Sequence, residues 1–422
     1  MVPRGEGAAL PIPCNPGCPM KVLVLNSGSS SIKYQLFQSA GWQVLAAGAV
    51  NRIGEPRGDF QGRWVDEAGQ EQGFDLALRI AHHGEGLELI ADRLRASGVL
   101  ADLGELVAIG HRVVHGGEAF QRLTRVDEAV IAAIRDMIPL APLHNPANLE
   151  GIEVAIRLFP GVPQVAVFDT AFHQTMPPAA YRYALPENLY REHRVRRYGF
   201  HGSSHAYVSR RAAVLLGKAA GDCNLITMHL GNGASAAAVR GGESIDTSMG
   251  LTPLEGLVMG TRCGDLDPAI HFYLAKNLGM DNPALDDLLN RRSGLLGLCG
   301  VNDMREIHRR IAQGDQAAAL ALEVFCHRLR KYLGAYWVEL GRLDALVFTG
   351  GIGENDAEVR ARTCAGLEGM GILLDGEANQ ARGQGGRRVS RPESPVAVLV
   401  IPTNEELEIA RQTLEAVSGV AD

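Results

Sequence analysis

The chain has 422 residues, 46% of them hydrophobic and 21% charged, with a net charge of −7 and a pI near 6.0. That length exceeds one ordinary hydrophobic core and favours two domains, while the acidic balance gives no electrostatic footprint for nucleic acid. No apolar run reaches the roughly eighteen residues of a membrane-spanning helix, and the seven cysteines, odd in number and scattered, fit a reducing cytoplasm better than a disulfide framework.

Residues 1–19 are rich in proline and glycine, show no periodicity and lack the apolar region of a signal peptide. They read as a disordered N-terminal extension. Cys14 and Cys18 lie within it, without a second Cys/His pair at zinc-ligand spacing. Lys21 to Leu25 is an apolar strand, Asn26 to Ser31 a small-residue turn, and Ile32 to Phe37 an alternating strand. The result is a hairpin whose tip offers hydroxyls and backbone N–H groups to a phosphate. Helical spacing follows at 85–97 and 127–138. Leu106 to Gly110 is a strand leading into His111-Arg112-Val-Val-His115-Gly-Gly117. That run is extended rather than helical, so His111 and His115 do not form a metal pair. Arg112 sits at a strand end before two glycines, either a ligand contact of the α/β kind or an ordinary solvated arginine.

Asn145 and Pro146 read as N-cap and first residue of a helix, leaving His144 just outside its positive end. The strand Val165 to Phe168 ends in Asp169, a carboxylate placed to serve a metal or a base, or simply to cap the next turn. His201 precedes a helix that Ser203 or Ser204 would cap and that runs to about Leu216. The hairpin design then recurs. Asn224 to Leu230 is a strand, Gly231 to Ser235 a turn and Ala236 to Arg240 a strand, with a third strand at Glu243 to Ser248. Two such units suggest a duplicated domain.

An apolar approach from Leu251 to Met259 delivers Arg262 into the polar loop 260–268. Leu295 to Gly300 reads as a glycine-rich turn, and 316–341 as a long amphipathic helix. The strand Ala345 to Phe348 runs into Thr349-Gly-Gly-Ile-Gly-Glu-Asn355. Strand, glycine turn and helix start suit either a structural βα turn or a nucleotide site. The third glycine of a dinucleotide fingerprint and the lysine of a P-loop are both missing. After the strand Val396 to Ile401, Thr403 and Glu406 fit a capping box, which makes Glu405 a first-turn acid.

Taken together and in order, nine segments resemble the acetokinase family of short-chain carboxylate kinases, in the superfamily that also holds actin and the sugar kinases. They are Asn26 to Tyr34, His111 to Gly117, Ala141 to Pro146, Val167 to His173, Tyr198 to His205, His229 to Ser235, Gly260 to Arg262, Phe348 to Asn355 and Thr403 to Glu406. The resemblance runs from Met20 essentially to the C-terminus. It implies an α/β fold of two duplicated ribonuclease H-like (actin-like ATPase) domains with a central cleft. The first would span 20–169, completed by a helix at 404–422. The second, 170–403, would hold the nucleotide site and a homodimer interface.

The resemblance also implies a reaction, the reversible transfer of a phosphoryl group from ATP to acetate, with Mg²⁺ (or Mn²⁺) as cofactor. Asp169, His201, Arg262, Arg112 and His144 would be catalytic. Arg112 would also bind the substrate carboxylate, with Val114, Leu143, Phe200 and Pro253 lining the pocket for its methyl group. Lys33, His229, Leu230, Gly231, Asn232 and Gly233 would meet the nucleotide, as would Asp303, Met304 and Arg305. Gly350, Gly351, Ile352, Gly353 and Asn355 complete that set, and Asn26 and Glu405 would serve the metal. Two departures stand out: Cys263 follows the loop arginine where the family has serine, and Gly300 to Arg305 is one residue shorter than the usual form. A propionate or other short-chain acyl kinase, and a non-catalytic nucleotide-binding module, are the alternative readings.

Overall fold

A computed structural model describes residues 20–118, 120, 124–142, 144–383 and 385–418. The expected extension at 1–19, with Cys14 and Cys18, lies outside the described residues, as does Leu143. The chain divides into two compact units, Met1–Ala171 with Glu405–Asp422, and Phe172–Asn404.

The first unit opens with β1 (Lys21–Ser27), β2 (Ser31–Gln38), β3 (Val44–Asn51), β4 (Gly58–Val65) and β5 (Glu71–Leu78). Helix α1 (His83–Ala96) follows, then β6 (Leu106–Val113), β7 (Thr124–Arg125), α2 (Glu128–Asp136), α3 (Asn145–Leu158) and β8 (Gln164–Phe168). The sheet order is β5-β4-β3-β2-β1-β6-β8-β7, with β1, β6 and β8 parallel. Alternation along β1 feeds two cores. Leu23 and Leu25 pack with Leu87, Ile90 and Leu94 of α1, while Val22 and Val24 pack with Ile409 and Ala410 of the C-terminal helix Glu405–Ser418. That helix comes so close to the sheet that a Cβ on Gly110 would lie 2.2 Å from Thr413 Oγ1. Only glycine fits there.

The second unit contains α4 (Pro178–Tyr181), α5 (Glu187–His193), α6 (Gly202–Leu216), β9 (Asn224–Leu230), β10 (Ala234–Arg240) and β11 (Glu243–Thr247). It continues through α7 (Ala269–Leu278), α8 (Asn282–Arg291), α9 (Gly294–Cys299), α10 (Met304–Ala312) and α11 (Gln316–Leu340). β12 (Ala345–Thr349), α12 (Gly350–Asn355), α13 (Ala357–Cys364), α14 (Gly376–Gln380), β13 (Arg387–Arg388) and β14 (Ala397–Val400) complete it. Its sheet order is β11-β10-β9-β12-β14-β13, with β9, β12 and β14 parallel. Val208 and Ala212 of α6 cover Leu225, Val347 and Leu399 of the sheet.

Both sheets share one plan, three antiparallel strands continued by two parallel ones, which is the duplication expected from the two hairpins. Three sequence expectations need correction. Residues 294–299 are helical rather than a turn, because the N–H groups of Leu295 and Leu296 find the carbonyls of Met259 and Gly260. Helix α3 starts at Asn145 with His144 at its N-cap, since the Asn145 side chain is committed to the backbone of His115. Helix α6 starts at Gly202 with His201 at its N-cap, so Ser203 and Ser204 are buried in its first turn instead of capping it.

Candidate functional site

In the first unit, three neighbouring parallel strands end together. Asn26 lies near the end of β1, Arg112 near the end of β6, and Asp169 directly follows β8. Ligands gather at such carboxyl ends in α/β sheets. Arg112 donates from Nε to Asp169 Oδ1 at 3.0 Å and from Nη2 to Oδ2 at 2.5 Å, a two-pronged pair with Asp169 only 1% exposed. A longer bond of 3.4 Å runs from Arg112 Nη1 to Asn26 Oδ1. Burial alone would disfavour the guanidinium charge, but the carboxylates of Asp169 and Glu405 outweigh it and hold the Arg112 pKa above its usual value.

Glu405 opens the C-terminal helix. Its carboxyl is pushed up to about 7, first by burial and then by Asp169 and Glu406, against the pull of Arg112 and Lys33. A half-buried carboxyl crowded by other carboxylates, with the Asn26 amide oxygen on the same guanidinium that attracts it, is a donor set that suits Mg²⁺, which takes oxygen ligands and keeps several waters. No cluster of three or more His, Cys, Asp or Glu able to hold a metal exists among the described residues, and a magnesium that also binds phosphate needs none.

Lys33 stands exposed on β2, paired in register with Asn26. His144 is half-buried at the start of α3. Val114 is buried, and its N–H donates to Asn148 Oδ1 at 3.0 Å. Asn145 and Asn148, both buried, thus hold the backbone that follows β6. The sequence offered a signal for them: two asparagines three apart on an otherwise apolar helix face. His111 is a core residue, bonded to Gln164 and lowered to about 4 by burial.

In the second unit, the tip Gly231 to Gly233 between β9 and β10 and the glycine turn after β12 leave from the same end of two paired strands, with Thr349 opposite His229. Gly350 has φ of 76°, and a Cβ there would lie 2.8 Å from Leu230 O. Glu354 Oε1 accepts from the N–H of Gly350 at 3.0 Å and of Thr403 at 3.2 Å, tying the turn to the segment after β14. The Thr403 hydroxyl meets Ser204 Oγ at 2.8 Å. A cavity of about 860 Å³ is lined by Gly231 and Asn232 of the tip, by Asp303, Met304 and Arg305 at the start of α10, and by Gly351, Ile352 and Asn355. That volume is of the size that houses a cofactor-sized ligand.

Several residues of this cavity wall had no signal in the sequence, among them His308, Asp356, Arg360 and Arg387. His308 bonds Asp356 at 2.7 Å, which raises its pKa above 6.5. Arg360, 1% exposed, donates to the carbonyls of Gly353 and Glu354 and to Asn379, closing the end of α12. Arg387 also lines the wall. Asp303 and Arg305 pair with each other on an exposed surface, and the pairing holds Asp303 down to about 2.

His201 has a left-handed backbone (φ 58°), uncommon for a residue with a Cβ. Its Nδ1 meets Ser235 Oγ at 2.9 Å and its ring stacks on His229 at 4.4 Å. Arg262 donates from Nη1 to Pro253 O at 3.2 Å, and burial lowers its pKa. A Cβ placed on Gly233 would lie 3.6 Å from His201 Nε2 and 3.5 Å from Arg262 Nη1, so both groups border the same small space above the glycine. Phe200 is buried immediately before His201.

No helix among the described residues is long and apolar enough to cross a membrane. The model of the acetokinase family matches residues 21–411. An acetate kinase of Syntrophobacter fumaroxidans is 55% identical over 405 residues, covering 95% of this chain and 98% of that protein. One of Streptomyces avermitilis is 56% identical over 395 residues, covering 94% and 97%. Among solved structures, an acetate kinase of Porphyromonas gingivalis matches with a TM-score of 0.88 at 44% identity, covering 94% of this chain and all of that one. A propionate kinase of Francisella tularensis matches at 0.87 and 43%, covering 94% and 99%.

Proposed function

Because the chain belongs to the acetokinase family, we propose that it transfers the γ-phosphoryl group of ATP to acetate, forming acetyl phosphate and ADP, and runs the same step in reverse. A carboxylate oxygen forms a bond to phosphorus as the bond to the β-phosphate oxygen breaks. Acetate is already ionised near neutral pH, so no base is needed to create the nucleophile. The demand is for charge complementarity and alignment, because the transition state is loose and spreads charge over three equatorial oxygens.

The observation that carries this reading is the two-pronged Arg112–Asp169 pair. In a kinase for hydroxyl groups an aspartate has to take a proton. Here both oxygens of Asp169 are committed to holding a guanidinium, which suits an anionic acceptor. We assign Arg112 to the substrate carboxylate and Arg262 to the phosphoryl group, with His201 as a hydrogen-bond donor to that group and His144 as an auxiliary contact. We assign Val114, Phe200 and Pro253 to recognition of the methyl group. The wall of the second-unit cavity, including Gly351, Ile352 and Asn355, holds the nucleotide. Asn26 and Glu405 would hold Mg²⁺, which neutralises charge on the polyphosphate when bound. We further propose a homodimer working in the cytoplasm.

The near-equal likeness to a propionate kinase favours a second acid as a poorer substrate. One added methylene changes discrimination by only about 1–3 kcal/mol. Trapping acyl phosphate as hydroxamate, with acetate, propionate and butyrate in turn, tests both readings. Acetate should lead, propionate should react more slowly, and butyrate least. ATP hydrolysis without trapped acyl phosphate would refute the kinase reading, and equal turnover of butyrate would refute the pocket.

A further inference from the structure

Behind His201 lies a run of three side chains, His205 on α6 and Thr227 and Ser235 on the paired strands β9 and β10. Thr227 Oγ1 meets His205 Nδ1 at 2.7 Å, His205 Nε2 meets Ser235 Oγ at 2.8 Å, and Ser235 Oγ meets His201 Nδ1 at 2.9 Å. Thr227, His205 and Ser235 are all 0% exposed. Burial, reinforced by His173 and His229, keeps His205 neutral by pushing its pKa well below 6.5, so it carries a single N–H.

Three proton arrangements satisfy the three contacts, since a hydroxyl oxygen can accept twice. If Ser235 Oγ accepts from both His201 Nδ1–H and His205 Nε2–H, its own hydrogen has no acceptor among the described residues. If the bonds run from His201 towards Thr227, the Thr227 hydroxyl accepts from His205 and its own hydrogen has no acceptor, because His205 is its only hydrogen-bond partner among the described residues. A buried O–H donor left unpaired is costly. If they run the other way, every proton is used: Thr227 donates to His205 Nδ1, His205 Nε2–H to Ser235, and Ser235 to His201 Nδ1. We propose that this directed chain fixes His201 as the neutral tautomer protonated on Nε2, the nitrogen that borders the space shared with Arg262, and so makes Thr227, His205 and Ser235 positioning residues for phosphoryl transfer. The Phe200 carbonyl just before His201 is held as well, by His173 Nε2 at 3.0 Å, so ring and backbone are both set. The proposal rests on the donor role given to His201.

The test is a two-bond ¹⁵N–¹H spectrum of the full-length protein labelled in histidine, recorded for wild type, Ser235→Ala and Thr227→Val, with His201→Gln to assign the signal. Wild type should show His201 with N–H at Nε2. Ser235→Ala should lose that preference and lower kcat between about 10- and 100-fold, the scale of partners that orient imidazoles, with the KM for ATP within about twofold. Thr227→Val should move both readouts the same way, and Thr227→Ser should restore them. An Nδ1–H tautomer in wild type, or a tautomer unchanged in Ser235→Ala, would overturn the proposal. Normal turnover in His201→Ala would instead refute the donor role and leave the tautomer result standing.

Discussion

Replacing Glu405 with glutamine separates two effects that its position combines. The side chain lies in the first turn of a helix and near Arg112, both of which favour its charge, yet burial and the neighbouring Asp169 and Glu406 carboxylates win and raise it from 4.5 to about 7. The folded protein therefore holds this proton more tightly than the unfolded chain does. The stability gained from holding it is complete below the unfolded value of 4.5 and is lost as pH rises through about 7. A rise from 4.5 to about 7, at about 1.4 kcal/mol per pH unit, amounts to about 3 kcal/mol. Glutamine mimics the protonated form and cannot ionise. In metal-free buffer with EDTA, Glu405→Gln should match wild type near pH 4.5 and exceed it by up to about 3 kcal/mol at pH 8, as followed by urea unfolding of the two proteins across that range. A difference that stays constant with pH, or one that grows towards acid, would refute the assignment of a crowded, proton-holding carboxyl.

Arg262→Ala and His201→Ala should each lower kcat by about 10²–10³, the cost of removing one donor aimed at developing charge, with the KM for ATP little changed; wild-type turnover in both purified variants would remove them from the mechanism. Asp169→Asn weakens a charge-assisted fork to Arg112 worth about 1.5–3 kcal/mol, so kcat/KM for acetate should fall about 10- to 100-fold while the affinity for ADP, read by calorimetry, holds. An equal loss in both would point to general unfolding. Gly350→Ala places a Cβ 2.8 Å from Leu230 O on a backbone with φ of 76°. It should destabilise the protein by about 1–3 kcal/mol and raise the KM for ATP, and an unchanged KM would detach this turn from the nucleotide.

Period-two alternation and glycine-rich tips made β1–β2, β9–β10 and the β12 glycine turn legible, because each signal is local. The strands β3 to β5 were not read. β5 is largely exposed along its length, so its residues carry no apolar stripe to announce a strand. Glycines at both ends of the stretch 294–300 suggested a turn, and the helix there owes its start to the carbonyls of Met259 and Gly260, which no local pattern reveals. The reactive residue types were visible singly, at strand ends and before helices. Their partnerships were not: Arg112 and Asp169 lie 57 positions apart, and Ser235 reaches His201 across 34. Such pairings depend on which strands become neighbours, and that is settled by the packing of the whole unit.

Direct transfer from ATP to acetate, without a phosphorylated enzyme, is the central claim. It is tested by the stereochemical course at phosphorus, using ATP made chiral at the γ-position with oxygen isotopes and analysing the acetyl phosphate formed. One in-line displacement predicts inversion of configuration. Net retention would mean two displacements through a protein nucleophile, and would contradict the roles given to Arg112, Arg262 and His201.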